Sequence, residues 1–593
     1  MKKVLLSVGF AAFAGLVFGQ SGSVNPNFLR KDTKNIFTIQ AADNDHVTNV
    51  DRAIIWQNDF STPSDWVLTN TGTPSANWAI GTTPPSGEYS AAMNAIASTT
   101  AANNFAKFDS DALGSGSSTQ NALLTFGSPI DLSAHPAVLV QFQSYYRRFQ
   151  GNCYLEVSTN NTTWTQFPLH TNVAVNASTA NPVTVSVNPT AVIGGATTAY
   201  IRFRYVGAWD YAWMLDDVQI VDAPDNDIVL GNVFYGEYSK YPVGQEMPMP
   251  FWGKVTNFGG QPQTNVKLNV SVNGTAFGSS TAVPTLAPGA IDSLNIPGTY
   301  TPSGVGTYTL NFEATQSETD QNPADNAKTR VVSVTENTFS RDNNNYNGQG
   351  VWNQAGNGYM IGNLFEVSNP ATVNSITVVL QANTMVGAEF RVVLLDDLTS
   401  NPVGVAESDF YTVTAANIPT GSGNNPVSVT IPFIVPVDIE AGDYFAMVDF
   451  GGGTKDLVLA AGTDIVQPIQ TSFLYDPTES PATWFYITGC PMVRLNMNEV
   501  VTPPNSINEN ALTAAVNVFP NPASNLLNVS FSEISGNVVM TMFSTEGKQV
   551  MTQKTNVVAN QTTTVDVSGL SAGIYTLRVV AGNGTVTKKV VIK

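Results

Sequence analysis

Apolar residues in this chain come in short runs at period two, cut by Gly, Pro and Asn every few positions, as in 137–145, 266–272, 375–380 and 538–543. Alternation at that period sends successive side chains to opposite faces of a strand, whereas a helix needs apolar residues three and four apart, a spacing almost absent here. The runs are rich in Val, Ile, Phe and Tyr, which pack well on a pleated surface. The fold class expected is all-β, as tandem β-sandwich modules. The 47 Gly, 34 Pro and charged fraction of only 12% suit short strands joined by many turns. With 593 residues the chain exceeds what a single core can hold.

Polar punctuation divides it. Lys2 and Lys3 precede an apolar stretch at 4–18, and Val17 and Gly19 are small enough to flank a signal-peptidase cut before Gln20. About 15 apolar residues broken by Gly9 and Gly15 fall short of the ~20 that span a bilayer, and no later window is long and apolar enough, so no span is expected in the mature chain. The organisation expected is a signal peptide at 1–19, a polar leader at 20–51, modules at 52–222, 223–336 and 337–499, a linker at 500–514 and a tail at 515–593. The linker is the clearest of these breaks, with Pro503 and Pro504 set among Asn and Ser in "VVTPPNSINENA".

Charge excludes some partners and sets the tail apart. The net charge is −19, and −21 once Lys2 and Lys3 leave with the signal, which repels phosphate backbones and anionic lipid; nucleic acid is excluded as a partner. Residues 515–593 carry +3, against −24 on 20–514. Cys153 and Cys490 lie in different modules and read as small buried hydrophobes, not a disulfide framework.

The tail runs "VNVFPNPASNLLNVSF", "MTMFSTEGKQV", "VDVSGLSAGIYTLRVV" and "KKVVIK". Read physically, it is a small antiparallel sandwich with a hairpin turn at "TEGK" and a turn at "SGLSAG" leading into a strand. Its order of pieces resembles the type A C-terminal sorting domain of the type IX (Por) secretion system of Bacteroidetes. That resemblance implies an address read by an outer-membrane translocon, with the type IX machinery as partner and the cell surface or medium as destination. Gly569, Ser571 and Gly573 match G-x-S-x-G, but a strand follows where a nucleophile elbow needs a helix, so Ser571 is not a nucleophile.

The first module, with "IIWQNDFSTPSDWVL", "AVLVQFQSYYRRFQGNCYLEVSTNNTTWTQF" and "AYIRFRYVGAWDYAWMLDDVQIV", resembles the MAM-like and cleaved-adhesin jelly rolls of surface proteins. Asp109 and Asp111 sit in a Gly/Ser-rich loop, and Asp216 and Asp217 end the "WMLDDV" strand, which in such jelly rolls lies near the first strand bearing Asp59. Hard oxygen ligands from converging loops are what Ca²⁺ takes, so Asp59, Asp109, Asp111 and Asp217 are the candidate ligands of a structural calcium ion; the alternative is a solvated acidic loop. "DSDALG" fails the EF-hand pattern, because Leu113 and Gln120 occupy ligand positions. Alternation in "AWDYAWML" places Trp209, Tyr211 and Trp213 on one face, as core or as a sugar-stacking platform. Arg147 and Arg148 either meet an acidic glycan or face solvent or a carboxylate.

The second module, with "VTNFG" and "NPADN", resembles the CARDB-type Ig-like domain, generally a spacer or adhesive unit, and the third matches no family with a defined ligand. The chain holds three histidines, His46, His135 and His170, and no HExxH, Cys/His metal spacing or P-loop. Two carboxylates in a β fold are all a glycosidase needs, so that alternative stays open. The function expected is that of an exported, non-catalytic adhesive protein with an extracellular glycan or protein ligand. The alternatives are a matrix spacer and a secreted polysaccharide hydrolase.

Overall fold

The computed structural model describes residues 37–38, 52–498 and 515–593, apart from breaks at 117–118, 174, 347–349, 354, 400–401, 420–426, 463–464, 466, 469, 488, 533, 546–547 and 582–583. The signal peptide, most of the polar leader with His46, and the linker at 500–514 lie outside the described residues. Antiparallel strands dominate throughout, as the period-two pattern predicts, and the chain divides into two compact units, Met1–Glu499 and Val500–Lys593.

In 52–222 two sheets face each other. A five-stranded sheet runs in the order Trp66–Asn70, Gln120–Phe126, Tyr200–Gly207, Asn152–Ser158, Thr165–Leu169. The other runs Val183–Val187, Val138–Tyr146, Ala212–Asp222, Phe105–Asp109, Ala79–Gly81. Between them lie Phe142, Leu155, Phe203, Tyr205, Trp213 and Ile220, each almost wholly removed from water. The strand Ala212–Asp222 is central and has two neighbours on one side. Its residues 212–215 pair with Phe105–Asp109, and 218–221 pair with Ile54–Asn58. At the changeover the register shifts by a bulge, and Asp217 takes a left-handed φ of 48°.

The alternation read for "AWDYAWML" fails because the strand begins only at Ala212. Trp213 enters the core between the sheets, Tyr211 packs in a separate cluster with Met93, Ile96, Phe105 and Tyr145, and Trp209 at φ 45° meets Tyr89 and Phe149 edge-on. Arg147 does not face solvent. It is fully buried, with its guanidinium 3.8 Å from the Tyr211 ring centroid and Nε donating to the Asn176 carbonyl.

Residues 223–336 form a sandwich of Ile228–Phe234, Met249–Asn257 and Ile291–Tyr300 against Lys240–Pro242, Ala327–Thr335, Gly306–Thr315, Gln263–Val272 and Thr275–Ser279. Residues 337–499 form another, centred on Ala371–Leu380 in one sheet and Met360–Val367 in the other. One apolar cluster runs through both, from Ile228 to Met497. Their junction is closed by Arg341, fully buried, whose donors reach the Leu364 carbonyl, Glu237, Gln467 and the Tyr238 hydroxyl. The junction with the first module is closed by Asn188, whose amide donates to the Phe258 and Gly259 carbonyls, beside the apolar contact of Leu139 and Val221 with Val229 and Phe258.

The unit at 515–593 packs Val516–Phe519, Leu526–Phe531 and Gln561–Asp566 against a four-stranded sheet, Gln549–Val557, Gly536–Ser544, Gly573–Ala581 and Gly584–Ile592. Strand Gly573–Ala581 follows Ser571, as read. Asn521, from the "FPNP" segment, completes the outer edge of the last strand. Its amide donates to the Lys589 carbonyl at 2.7 Å and accepts from the Val591 N–H at 2.8 Å, the two bonds a neighbouring strand would make.

Candidate functional site

The changeover along Ala212–Asp222 leaves a gap in the sheet, and a cleft of about 520 Å³ opens there. Its lining includes Asn58, Asp59 and Ser61 from the first strand and its turn, Thr99 and Thr100 from a loop, and Asp217 and Gln219 from the central strand. Gln143 and Thr184, paired across two neighbouring strands, complete it.

Strand geometry explains the polarity of this surface. In Val138–Tyr146 the side chains of Val140 and Phe142 enter the core, so Gln141 and Gln143 point out. The same alternation turns Thr184 and Ser186 outward between Val183, Val185 and Val187. The resulting amides are held in a chain: Gln141 Nε2 donates to Ser186 Oγ at 2.9 Å, and Gln219 Nε2 donates to Gln141 Oε1 at 3.0 Å. Gln143 Nε2 donates to Thr99 Oγ1 at 2.7 Å, while its Oε1 accepts from the Thr99 N–H at 2.9 Å.

Carboxylates fix the loop that forms the far wall. Ser98 Oγ donates to Asp216 at 2.6 Å, Thr100 Oγ1 donates to Asp217 at 2.7 Å, and Asn103 Nδ2 donates to Asp59 at 2.9 Å. Hydrogen bonds from the Ser61 hydroxyl and amide, with Asn103, hold the Asp59 carboxyl below the usual range. Asp216 behaves oppositely: burial, with a smaller contribution from Asp217, pushes its carboxyl up to about 6. Among the described residues no basic side chain forms an ion pair with Asp59, Asp216 or Asp217.

The four carboxylates read from the sequence as calcium ligands do not meet. Asp59 and Asp217 share the cleft, but Asp109 and Asp111 serve another loop. Asp109 accepts from the Ser86 N–H and Ser90 Oγ, and Asp111 accepts from the Ser90 N–H. Asp109 pairs with Ala212, five residues up the strand from Asp217, a separation of roughly 16 Å at 3.3 Å per residue. One ion with ligand distances of about 2.3–2.6 Å cannot bridge that. Among the described residues no group of three His, Cys, Asp or Glu side chains is placed to hold a metal. Sequence reasoning named Asp59 and Asp217 but missed Gln143, Thr184 and Gln219. The outward alternation of "VQFQS" and "TVS" was the available signal.

His170 is buried with Nε2 2.9 Å from Ser144 Oγ, which also accepts from Trp213 Nε1. Burial lowers its pKa to about 3, so it is a neutral, satisfied core histidine.

Comparison with known proteins assigns the second unit. Residues 517–593 match the profile of the secretion system C-terminal sorting domain. The chain is therefore an exported protein, and this domain sends it through type IX secretion to the cell surface or extracellular space. No helix among the described residues is long and apolar enough to cross a membrane. Among solved structures, the CARDB domain of a Pyrococcus furiosus protein is 23% identical over 19% of this chain and 98% of that one, with a TM-score of 0.17. A GH2 β-galacturonidase from Eisenbergiella tayi is 8% identical over 49% of this chain and 45% of that one, TM-score 0.22. A putative β-galactosidase from Bacteroides fragilis is 13% identical over 50% and 42%, TM-score 0.21. No curated protein matches.

Proposed function

We propose that the exported chain is a non-catalytic carbohydrate-binding protein of the cell surface, with its ligand seated in the cleft at Asp59, Thr100, Gln143 and Asp217. The supporting observation is the lining itself. Ten of the twelve lining residues carry amide, hydroxyl or carboxylate side chains, and Gln143, Thr184 and Gln219 among them lie on the outer face of a sheet whose inner face is apolar. Paired donors and acceptors held by their neighbours suit the vicinal hydroxyls of a sugar, and fixing them in advance reduces the ordering cost of binding. Glycan-array binding by the mature chain, lost in Gln143→Ala, supports this reading. An array without hits favours a spacer. Release of reducing ends from a polysaccharide, abolished in Asp217→Asn, makes the chain a hydrolase.

A structural calcium ion at the same cleft is a second reading, with Asp59 and Asp217 as the two expected ligands that line it. It is supported by the Asp59 and Asp217 carboxylates, which hold Asn103 and Thr100 of the loop and form no ion pair with a basic side chain among the described residues. Such an ion would fix the loop, so its role would be structural.

A further inference from the structure

We propose that the outer face of the four-stranded sheet in 515–593 is the surface by which this unit docks on its export machinery, and that the docking partner is an acidic protein surface. The proposal deepens the assignment of the tail by naming the face and its chemistry. Alternate residues of the four strands, among them Met540, Met542, Leu577, Val579, Val586 and Val590, are buried against the three-stranded sheet. Their neighbours in sequence must point the other way.

Register fixes what that outer face presents. One row across the sheet reads Thr552, Thr541, Arg578, Thr587. The row on one side of it reads Lys554, Val539, Val580, Thr585, and on the other Phe543, Thr576, Lys589. Three cations are thus spread over a threonine-rich surface, and none of the four strands contains Asp or Glu. The three-stranded sheet is the reverse: it contains no Lys or Arg, and Asp566 ends its last strand. Of the unit's six basic residues, Lys554, Arg578 and Lys589 lie on this face, Lys588 shares the row of the buried Leu577 and points away from it, and the three-stranded sheet has none, so the outer faces of the two sheets differ in charge.

That segregation selects the partner. Charge complementarity steers encounter and register, and an acidic surface is what a face with three cations and no Asp or Glu in its strands attracts. An anionic membrane is disfavoured, since adsorption by charge takes a cluster of roughly four to eight basic residues. Four strands at about 4.8 Å spacing and nine residues at about 3.3 Å give a face of roughly 19 by 30 Å, near 570 Å². This is below the ~800 Å² per partner of a stable complex, which suits an address that must let go after transport.

The test is made on the full chain in a bacterium with type IX secretion. Lys554→Glu, Arg578→Glu and Lys589→Glu are combined, beside a control with Asn528→Glu, Thr562→Glu and Thr564→Glu on the three-stranded sheet. Export is read as protein at the surface and in the medium against protein in the periplasm, and the melting temperature of each purified chain checks folding. The expected result is at least a tenfold loss of export for the face reversal at unchanged melting temperature, with normal export of the control and of a Lys554→Arg, Lys589→Arg chain. Normal export of the face reversal overturns the proposal. Equal loss in both glutamate sets also overturns it, because net charge and not the face would then decide. Binding of the wild-type chain to anionic lipid vesicles, abolished by the face reversal, would make lipid the occupant and the proposal wrong. If the triple variant unfolds, Arg578→Gln alone must still lower export at least threefold, and normal export of that chain refutes the docking face.

Discussion

Replacing Asp216 by Asn should change how the stability of the first module depends on pH. Burial raises this carboxyl from the ordinary 3.8 to about 6 in the folded state. A folded state that holds the proton more tightly than the unfolded one is favoured at low pH. Stability from this group is therefore fully present below about 4, declines as pH rises towards 6, and is lost above it. At 1.36 kcal/mol per unit the full shift amounts to roughly 3 kcal/mol. Relaxation of the surrounding loop on ionisation offsets part of this, so about 1–2 kcal/mol is expected. The amide introduced by Asp216→Asn keeps an acceptor for Ser98 and Thr100 but does not titrate, so the stability of the variant relative to wild type should rise by that amount between pH 4 and pH 7. For a module of this size that corresponds to a relative gain in Tm of roughly 3–6 °C. Six of the nine tryptophans lie in 52–222, so thermal unfolding followed by fluorescence in EDTA reports chiefly on this module. Parallel pH profiles for wild type and variant would refute the burial argument.

Further expectations follow from named contacts. If calcium occupies the loop at 98–103, the mature chain melts at higher temperature in millimolar Ca²⁺ than in EDTA, by about 2.7 kcal/mol of stabilisation at one hundred times Kd, and Asp217→Asn abolishes the gain. Asp109→Asn, which loosens the loop at 86–90 instead, should keep it; identical melting of wild type in both buffers eliminates the ion. Arg341→Met strands the Glu237 carboxylate and the Leu364 carbonyl at the junction of 223–336 with 337–499 and should cost about 3–5 kcal/mol, read from urea unfolding. Asn521→Ala removes two hydrogen bonds at about 1 kcal/mol each, so the Val591 amide should exchange hydrogen at least tenfold faster; unchanged exchange would show that Asn521 does not complete that edge.

Alternation carried most of the architecture, because a residue's face in a strand is settled by its neighbours in sequence. Gln141 and Gln143 around Phe142 could be assigned outward on that basis alone. The changeover at Asp216 and Asp217 could not, since it depends on which strands flank 212–222, and those come from residues 54–58 and 105–109. For the same reason Asp59, Asp109, Asp111 and Asp217 looked equivalent as exposed carboxylates, although strand pairing holds Asp109 and Asp217 well apart. Arg147 misled because its burial rests on Tyr211 and Asn176, contacts distant in sequence. The shared core of 223–336 and 337–499 was also invisible, because either stretch alone reads as a complete alternating pattern.

Calorimetric titration of the mature chain with the tightest-binding glycan from an array tests the central claim most directly. The account predicts binding that weakens at least tenfold in Gln143→Ala and in Thr184→Val, both lining the cleft, and is unchanged in Asn269→Ala, on the outer face of 223–336. Undiminished binding in both cleft variants, or no binding of any glycan by the wild-type chain, would contradict it.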